Sequence, residues 1–162
     1  MIKLNLGCRE VLLKDYINID IKPINDTVIK MDVRKLDYPE GYADEILASH
    51  IIEHFHEREV LSIIKDWHKV LRPGGTLIIE TPELLGLCKE FIYADSDMRK
   101  ELYHDFFSCP WIDISEAHLF LHTEDGLRSI LRDARFISIT RTPVQRYPNR
   151  QTYQMRLEAR KI

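Results

Sequence analysis

LNLGCREVLLKDYINID, residues Leu4 to Asp20, is the stretch on which the reading of this chain turns. It starts as a strand, passes a single glycine at Gly7, crosses a short polar-apolar segment and enters a second strand ending in aspartate. A turn that grips a pyrophosphate takes G-x-G-x-x-G at the mouth of a helix, with an acid about 20 residues on. Here Arg9 stands where the second glycine belongs, no third follows, and Asp20 comes 13 residues after Gly7. Cys8 to Asp15 leaves room for two helical turns at most, which offers few aligned N–H groups and little dipole to a pyrophosphate. NAD and FAD are therefore poor fits.

Working outward, further strand signals recur. Ile2 to Leu6, Tyr16 to Ile21, Thr27 to Met31, Ala43 to Ser49 and Thr76 to Glu80 are short apolar or β-branched runs. Phe136 to Thr142 and Thr152 to Arg160 add two more, and the last alternates a wet and a dry face, as an antiparallel partner does. The link VQRYPNRQ between them reads as a hairpin loop. In EREVLSIIKDWHKVLRPGG, Val60, Ile63, Ile64, Trp67 and Leu71 fall at helical spacing, and Pro73-Gly74-Gly75 ends that helix in a turn. A second helix follows Thr81-Pro82 through LLGLCKEFI, and Thr123 is a good N-cap for EDGLRSILRDA. Alternating strands and helices predict an α/β fold, a doubly wound and mostly parallel sheet. Such sheets bind ligands beyond the carboxyl ends of their strands, at the switch point.

The bulk numbers bound the rest. The chain has 162 residues, which suggests one domain, 1–162. The formal net charge is −3, so no global basic field draws the protein to nucleic acid or membrane. From Thr123 onward the balance is +5, against −8 before it, so a basic tail exists that is either a solvated face or an attraction for anions. Cys8, Cys88 and Cys109 stand far apart, as reduced thiols in a cytoplasmic protein do. The first residues carry no signal region, and no apolar run reaches membrane-spanning length.

A cofactor without phosphates has no need of a glycine-rich loop. S-adenosylmethionine carries an adenosine, a sulfonium and an amino-acid end. Its ribose diol wants a carboxylate and its adenine amino group an acceptor. Asp20 and Asp32, at successive strand ends, offer these in order, and Gly7 lets the backbone approach the methionine part.

At this point a family resemblance becomes visible. LNLGC, YINIDIKP, MDVRKLDYPEGYADEILASHIIEH, VLRPGGTLIIETP and HLFLHTEDGLRSILRDARF, in that order and spacing, resemble the class I S-adenosylmethionine-dependent methyltransferases. The resemblance implies a Rossmann-like, seven-stranded sheet with an antiparallel last strand. It implies that the Leu6-Gly7 backbone holds the methionine end, Asp20 with Ile21 the ribose, and Asp32 with Val33 the adenine. Ser49 or His50 would contact the methionine end. The chain departs from the family at Arg9, in the shortened segment after strand one, and in lacking the usual leading helix. It is thus expected to be N-terminally truncated, with a more open pocket, weaker binding or completion by a second subunit as a homodimer.

HIIEHFHE holds His50, Glu53, His54 and His56. His50-x-x-Glu53-His54 has the letters of an H-x-x-E-H zinc pattern, but His50 follows an apolar strand and is expected at a strand-to-helix junction. Some members of the resembling family hold Mg²⁺ with E-x-x-E-H and a distant histidine. Here His50 replaces the first glutamate, and His118 or His122 would be the distant partner. The reading adopted is no metal, with these residues packing or capping the next helix.

Methyl transfer needs little from the protein beyond positioning and, for a nitrogen or oxygen acceptor, a base. His54 and His118 are the candidates. Residues 93–122, with Tyr103, Phe106, Phe107 and Trp111, are read as an irregular substrate or lid insert. The expected function is methyl transfer to a small molecule or polar biosynthetic intermediate. A cofactor-binding domain without turnover, and an RNA or DNA methyltransferase, are the alternatives.

Overall fold

The computed structural model describes residues 1–108 and 116–162. All seven expected strands form and join one sheet. They are β1 (Lys3–Leu6), β2 (Ile17–Asp20), β3 (Ile29–Lys30), β4 (Ala43–Ser49), β5 (Leu71–Pro82), β6 (Phe136–Thr142) and β7 (Gln154–Lys161), in the order β3-β2-β1-β4-β5-β7-β6. The pairs β1–β2, β2–β3, β1–β4 and β4–β5 are parallel, and β7 lies antiparallel between β5 and β6. The chain winds outward from β1 to β3 and then crosses back to β4, so the direction reverses between β1 and β4. That is where such a sheet opens its crevice.

Helix α1 (Glu57–Val70) buries Val60, Ile63, Ile64 and Trp67, the stripe its spacing predicts. It packs with α4 (Glu124–Asp133) against Leu4, Leu6, Ile46, Ala48, Leu77, Ile79 and Leu157 of the sheet. Thr123 caps α4 by accepting from the Gly126 N–H at 3.1 Å. Glu83 does the same for α2 (Leu84–Tyr93), and its second oxygen accepts from the Glu124 N–H at 3.2 Å, tying two helix starts to one carboxylate. The other sheet face is polar. Across it run Lys3 beside Glu45, Asn5 bonded to Asn18, and a buried Glu80–Arg156 pair at 3.1 Å.

Three local features differ from expectation. None of the residues Cys8 to Asp15 is helical. Asn5 and Asn18 explain why: their amides bond the Val11 carbonyl and the Leu13 N–H, offering this loop partners that a helix would otherwise supply. Pro73-Gly74-Gly75 is not a turn between elements. Leu71 already pairs with Ala43 as the first residue of β5, and the next pair is Glu45 with Thr76, so the residues between bulge out, with Gly74 at φ 75°. Ser96–Phe107, read as irregular, is a helix, α3, capped by Asp95, whose carboxylate accepts from the Asp97 and Met98 N–H groups. It packs on α2, and Phe91 meets Tyr103 and Phe106 at 5.6 and 5.5 Å. Trp111 and Cys109 lie outside the described residues. Among the described residues, no helix is long and apolar enough to cross a membrane.

Candidate active site

The strand ends converge as a parallel sheet requires. Gly7, Asp20, Ile21, Asp32, Val33 and His54 line one cleft of about 290 Å³. Leu6 lies buried behind it in β1. Gly7 takes φ 62°, and a Cβ there would meet the Ile51 side chain at 2.7 Å, so this position must be glycine both for its conformation and for its neighbour. Arg9 takes φ 46°, the left-handed conformation a second glycine would have supplied. Its N–H donates to Asp20 Oδ2 at 2.9 Å, and the Lys22 N–H donates to Oδ1 at 2.8 Å. Asp20 is thereby fixed at the rim. Asp32 is gripped by the Arg34 guanidinium at 2.6 Å, which holds its carboxyl below the usual range. Trp67 donates to the Val33 carbonyl at 2.7 Å, so a core residue sets the height of the turn after β3.

The far end of the cleft is built around Glu53, which is fully buried. Its Oε2 accepts from Thr81 at 3.0 Å, and His50 Nδ1 lies 3.2 Å from Oε1. Burial would raise this carboxyl. The His50 contact and the charges of His50, His54 and His118 outweigh it and pull the group down to about 2. The Glu53 carbonyl accepts from the Leu119 and Phe120 N–H groups, which draws His118 over His54. The two rings stand 5.0 Å apart. His54 Nδ1 bonds the Ala117 carbonyl at 3.0 Å, and His118 Nδ1 bonds the Asp105 carbonyl at 2.9 Å. A carbonyl only accepts, so each Nδ1 carries a proton, and in the neutral ring the lone pair is on Nε2. Burial pushes the His118 imidazole down and, against the pull of Glu53, holds that of His122 at about 4.

Ser49 and His50 do not join the cleft lining. Ser49 lines a second cavity of about 490 Å³ on the polar sheet face, floored by Glu80 and Arg156 and walled by Tyr147. His50 takes φ 54° and turns its ring against Tyr147. This cavity is larger, yet Glu80 is already spent on Arg156 and on the Gln145 and Arg146 N–H groups. The smaller cleft, with strand-end carboxylates and histidine lone pairs, is the better site. Sequence reasoning missed Arg34, Ile51, Phe55, Ala117 and Leu119 on its wall. Arg34 carries a local signal, a cation two residues after Asp32. The others depend on tertiary placement.

The sequence from residue 4 to 137, β1 into β6 with the whole cleft between, matches the model of a methyltransferase domain family. The chain belongs to the class I S-adenosylmethionine-dependent methyltransferases. Its fold is shared by solved structures at low identity. A SAM-dependent methyltransferase from Archaeoglobus fulgidus superposes with a TM-score of 0.65 at 16% identity, over 98% of this chain and 85% of that one. The 1,6-didemethyltoxoflavin-N1-methyltransferase of Burkholderia thailandensis, solved with 1,6-didemethyltoxoflavin and S-adenosylhomocysteine, gives 0.63 at 18%, over 99% and 70%. A possible exported protein from Bordetella parapertussis gives 0.66 at 15% over 99% of this chain, which spans only 61% of that one. No curated protein sequence matches. Within this methyltransferase fold, the cleft falls at the β1–β4 switch point that the topology dictates.

Proposed function

We propose that this methyltransferase domain binds S-adenosylmethionine and transfers its methyl group to a small molecule or polar biosynthetic intermediate. The observation that carries the reading is the convergence of Gly7, Asp20, Ile21, Asp32 and Val33, from three strand ends, on one cleft that also holds His54. The residues suit the cofactor. Asp20 is oriented by two backbone N–H groups and keeps lone pairs for a ribose diol. Asp32 and Val33 stand one strand further out for the adenine. Ile51 now fills the space over Gly7, so the methionine arm needs that side chain to rotate.

When bound, the cofactor supplies an electrophilic methyl group, which the acceptor takes in line as the carbon–sulfur bond breaks. The chain's part is to hold the acceptor, exclude water and receive its proton. His54 Nε2, at the cleft, and His118 Nε2 behind it have the lone pairs for that. The insert at about 93–122, of which α3 carries Tyr103 and Phe106, would supply the cover over the acceptor in one domain spanning 1–162. A cytoplasmic setting would suit three cysteines that stand far apart in the sequence.

A nucleic-acid acceptor finds less support. Arg128, Arg141, Arg150 and Arg156 of the basic tail pair with Glu124, Asp105 and Glu80 within the protein. A cofactor-binding domain without turnover is the second reading, favoured by the Arg34 guanidinium already seated on Asp32. Calorimetry with S-adenosylhomocysteine tests the site: saturable one-to-one binding is expected, and none would end the proposal. Labelled methyl transfer into a cell extract then separates enzyme from binder.

A further inference from the structure

We infer that the cavity of about 490 Å³ on the polar sheet face is a second ligand site, one that takes a small aromatic monocarboxylate. It shares no lining residue with the cofactor cleft, so it stands whether or not that cleft takes S-adenosylmethionine. The cavity has a structural origin. Parallel strands are ordinarily buried on both faces. Here α1 and α4 pack on the apolar face, and residues 8–15, which pass over the other, form no helix. The floor left beneath them is Asn5 and Leu47, paired across β1 and β4, with Ser49, Glu80 and Arg156, paired across β4, β5 and β7. Asn5, Glu80 and Arg156 are 4, 1 and 6% exposed, so this floor belongs to the folded interior and is not a wetted surface.

Both walls are held in place. Residues 10–13 are pinned by Asn5 Nδ2, which donates to the Val11 carbonyl at 2.9 Å, and by the Leu13 N–H, which donates to Asn18 Oδ1 at 3.0 Å. Residues 145–147 hang on Glu80, which accepts from the Gln145 and Arg146 N–H groups at 3.2 and 2.7 Å. The Gln151 amide clasps both backbone groups of Val144 at 2.9 Å. The Tyr147 ring is fixed between the edge-on His50 ring at 4.9 Å and the Arg150 guanidinium, also at 4.9 Å. Small-molecule pockets are mostly preformed and of roughly 300–1,000 Å³. Walls that are already ordered spare the entropy that binding otherwise costs.

Charge and shape select the occupant. Glu80 is engaged by Arg156 and by two N–H groups, Arg156 also meets Glu158 at 3.3 Å, and Glu10 meets Arg9 at 3.4 Å. Arg146 is the lining cation that remains. Among the described residues it forms no ion pair, and its guanidinium lies 5.7 Å from the Tyr147 ring centre. A carboxylate would gain charge-assisted bonds from it, whereas a cationic ligand would find both lining carboxylates already engaged. Val11, Leu13 and Leu47 suit an apolar body, and Tyr147 adds an aromatic contact. Ser49 Oγ, buried and with no hydrogen-bond partner among the described residues, leaves one polar contact at the floor for a ring substituent.

The test is calorimetry and amide chemical-shift mapping of the full chain with benzoate, 4-hydroxybenzoate and 2-naphthoate. At least one should bind saturably at one equivalent, with shifts centred on Asn5, Leu47, Gln145 and Tyr147. The matching carboxamide, which lacks the charge, should bind about tenfold or more weakly than the acid. Arg146→Gln should abolish that preference. Arg132→Gln, which removes an exposed cation of the same basic tail outside the cavity, should keep it. Thermal melting confirms that both variants are folded. Five results would each overturn the site. They are no saturable binding of any of the three acids, equal affinity for acid and carboxamide, a preference that survives Arg146→Gln or is lost equally in Arg132→Gln, inorganic phosphate bound as tightly at the same residues, and shifts centred on Gly7, Ile21 and Val33 instead. S-adenosylhomocysteine titrated separately keeps the two ideas apart. Cofactor binding without the aromatic acid defeats only this inference, and the converse defeats only the methyl-transfer reading.

Discussion

The two ends of the cleft are built on different principles. At one end, Asp20 and Asp32 sit partly exposed at strand tips, Asp20 held by the Arg9 and Lys22 N–H groups and Asp32 by Arg34. At the other, a fully buried glutamate gathers His54 and His118 from distant parts of the chain. The first end follows directly from sheet topology and is cheap to form. The second depends on the segment 117–120 being held against residues 52–54 by bonds to the Glu53 carbonyl. Loss of a rim acid should therefore cost affinity, whereas damage to what supports either end should cost the fold.

The largest effect expected is from Trp67→Ala. Trp67 is fully buried and anchors the Val33 carbonyl, so the substitution should cost about 3–5 kcal/mol in denaturant unfolding. A loss under about 1 kcal/mol would show that the rim does not depend on the core beneath it.

Next is acid sensitivity at the buried end. His122 titrates at about 4 when folded, against 6.5 for the free imidazole, so the unfolded chain binds the extra proton between those values. Stability should be complete above pH 6.5 and fall by up to about 3 kcal/mol as the pH drops to 4. His122→Asn should flatten that window while leaving the steeper loss below pH 4.5, where Glu53 begins to protonate in the unfolded chain. An unaltered stability profile in the variant would place the acid-sensitive group elsewhere.

At the exposed end, Asp20→Ala should weaken S-adenosylhomocysteine by about 1–3 kcal/mol, with the denaturation midpoint little changed. A loss of stability as large as that of Trp67→Ala would erase the distinction between a rim acid and its support. The smallest change belongs to Arg34→Ala. An exposed ion pair is worth up to about 1 kcal/mol, so freeing Asp32 should tighten S-adenosylhomocysteine by at most a few fold. A clear loss would mean that Arg34, not Asp32, reads the adenine.

The same contrast governs what the amino-acid sequence reveals. The strands were legible from β-branched and apolar runs and, in β7, from the alternation of an antiparallel partner, and the residues at the carboxyl ends of β1, β2 and β3, Gly7, Asp20, Ile21, Asp32 and Val33, line the cleft. Helix α3 was not, since only Leu102 and Asp105 of it are buried and it packs on α2 instead of the sheet. Pro73-Gly74-Gly75 misled because a bulge and a turn use the same residues. His54 and His118 were both nominated, but their juxtaposition was not readable. It depends on main-chain bonds between segments far apart in sequence, which leave no local pattern. Ser49 shows the opposite limit: it ends β4 as expected, yet strand alternation turns it to the other face of the sheet.

Amide chemical-shift mapping with S-adenosylhomocysteine tests the central claim most directly, because it asks which of the two cavities binds. The account predicts saturable shifts centred on Gly7, Ile21 and Val33, extending to His54. Shifts confined to Asn5, Gln145 and Tyr147 around the larger cavity, or none at saturating ligand, would contradict it.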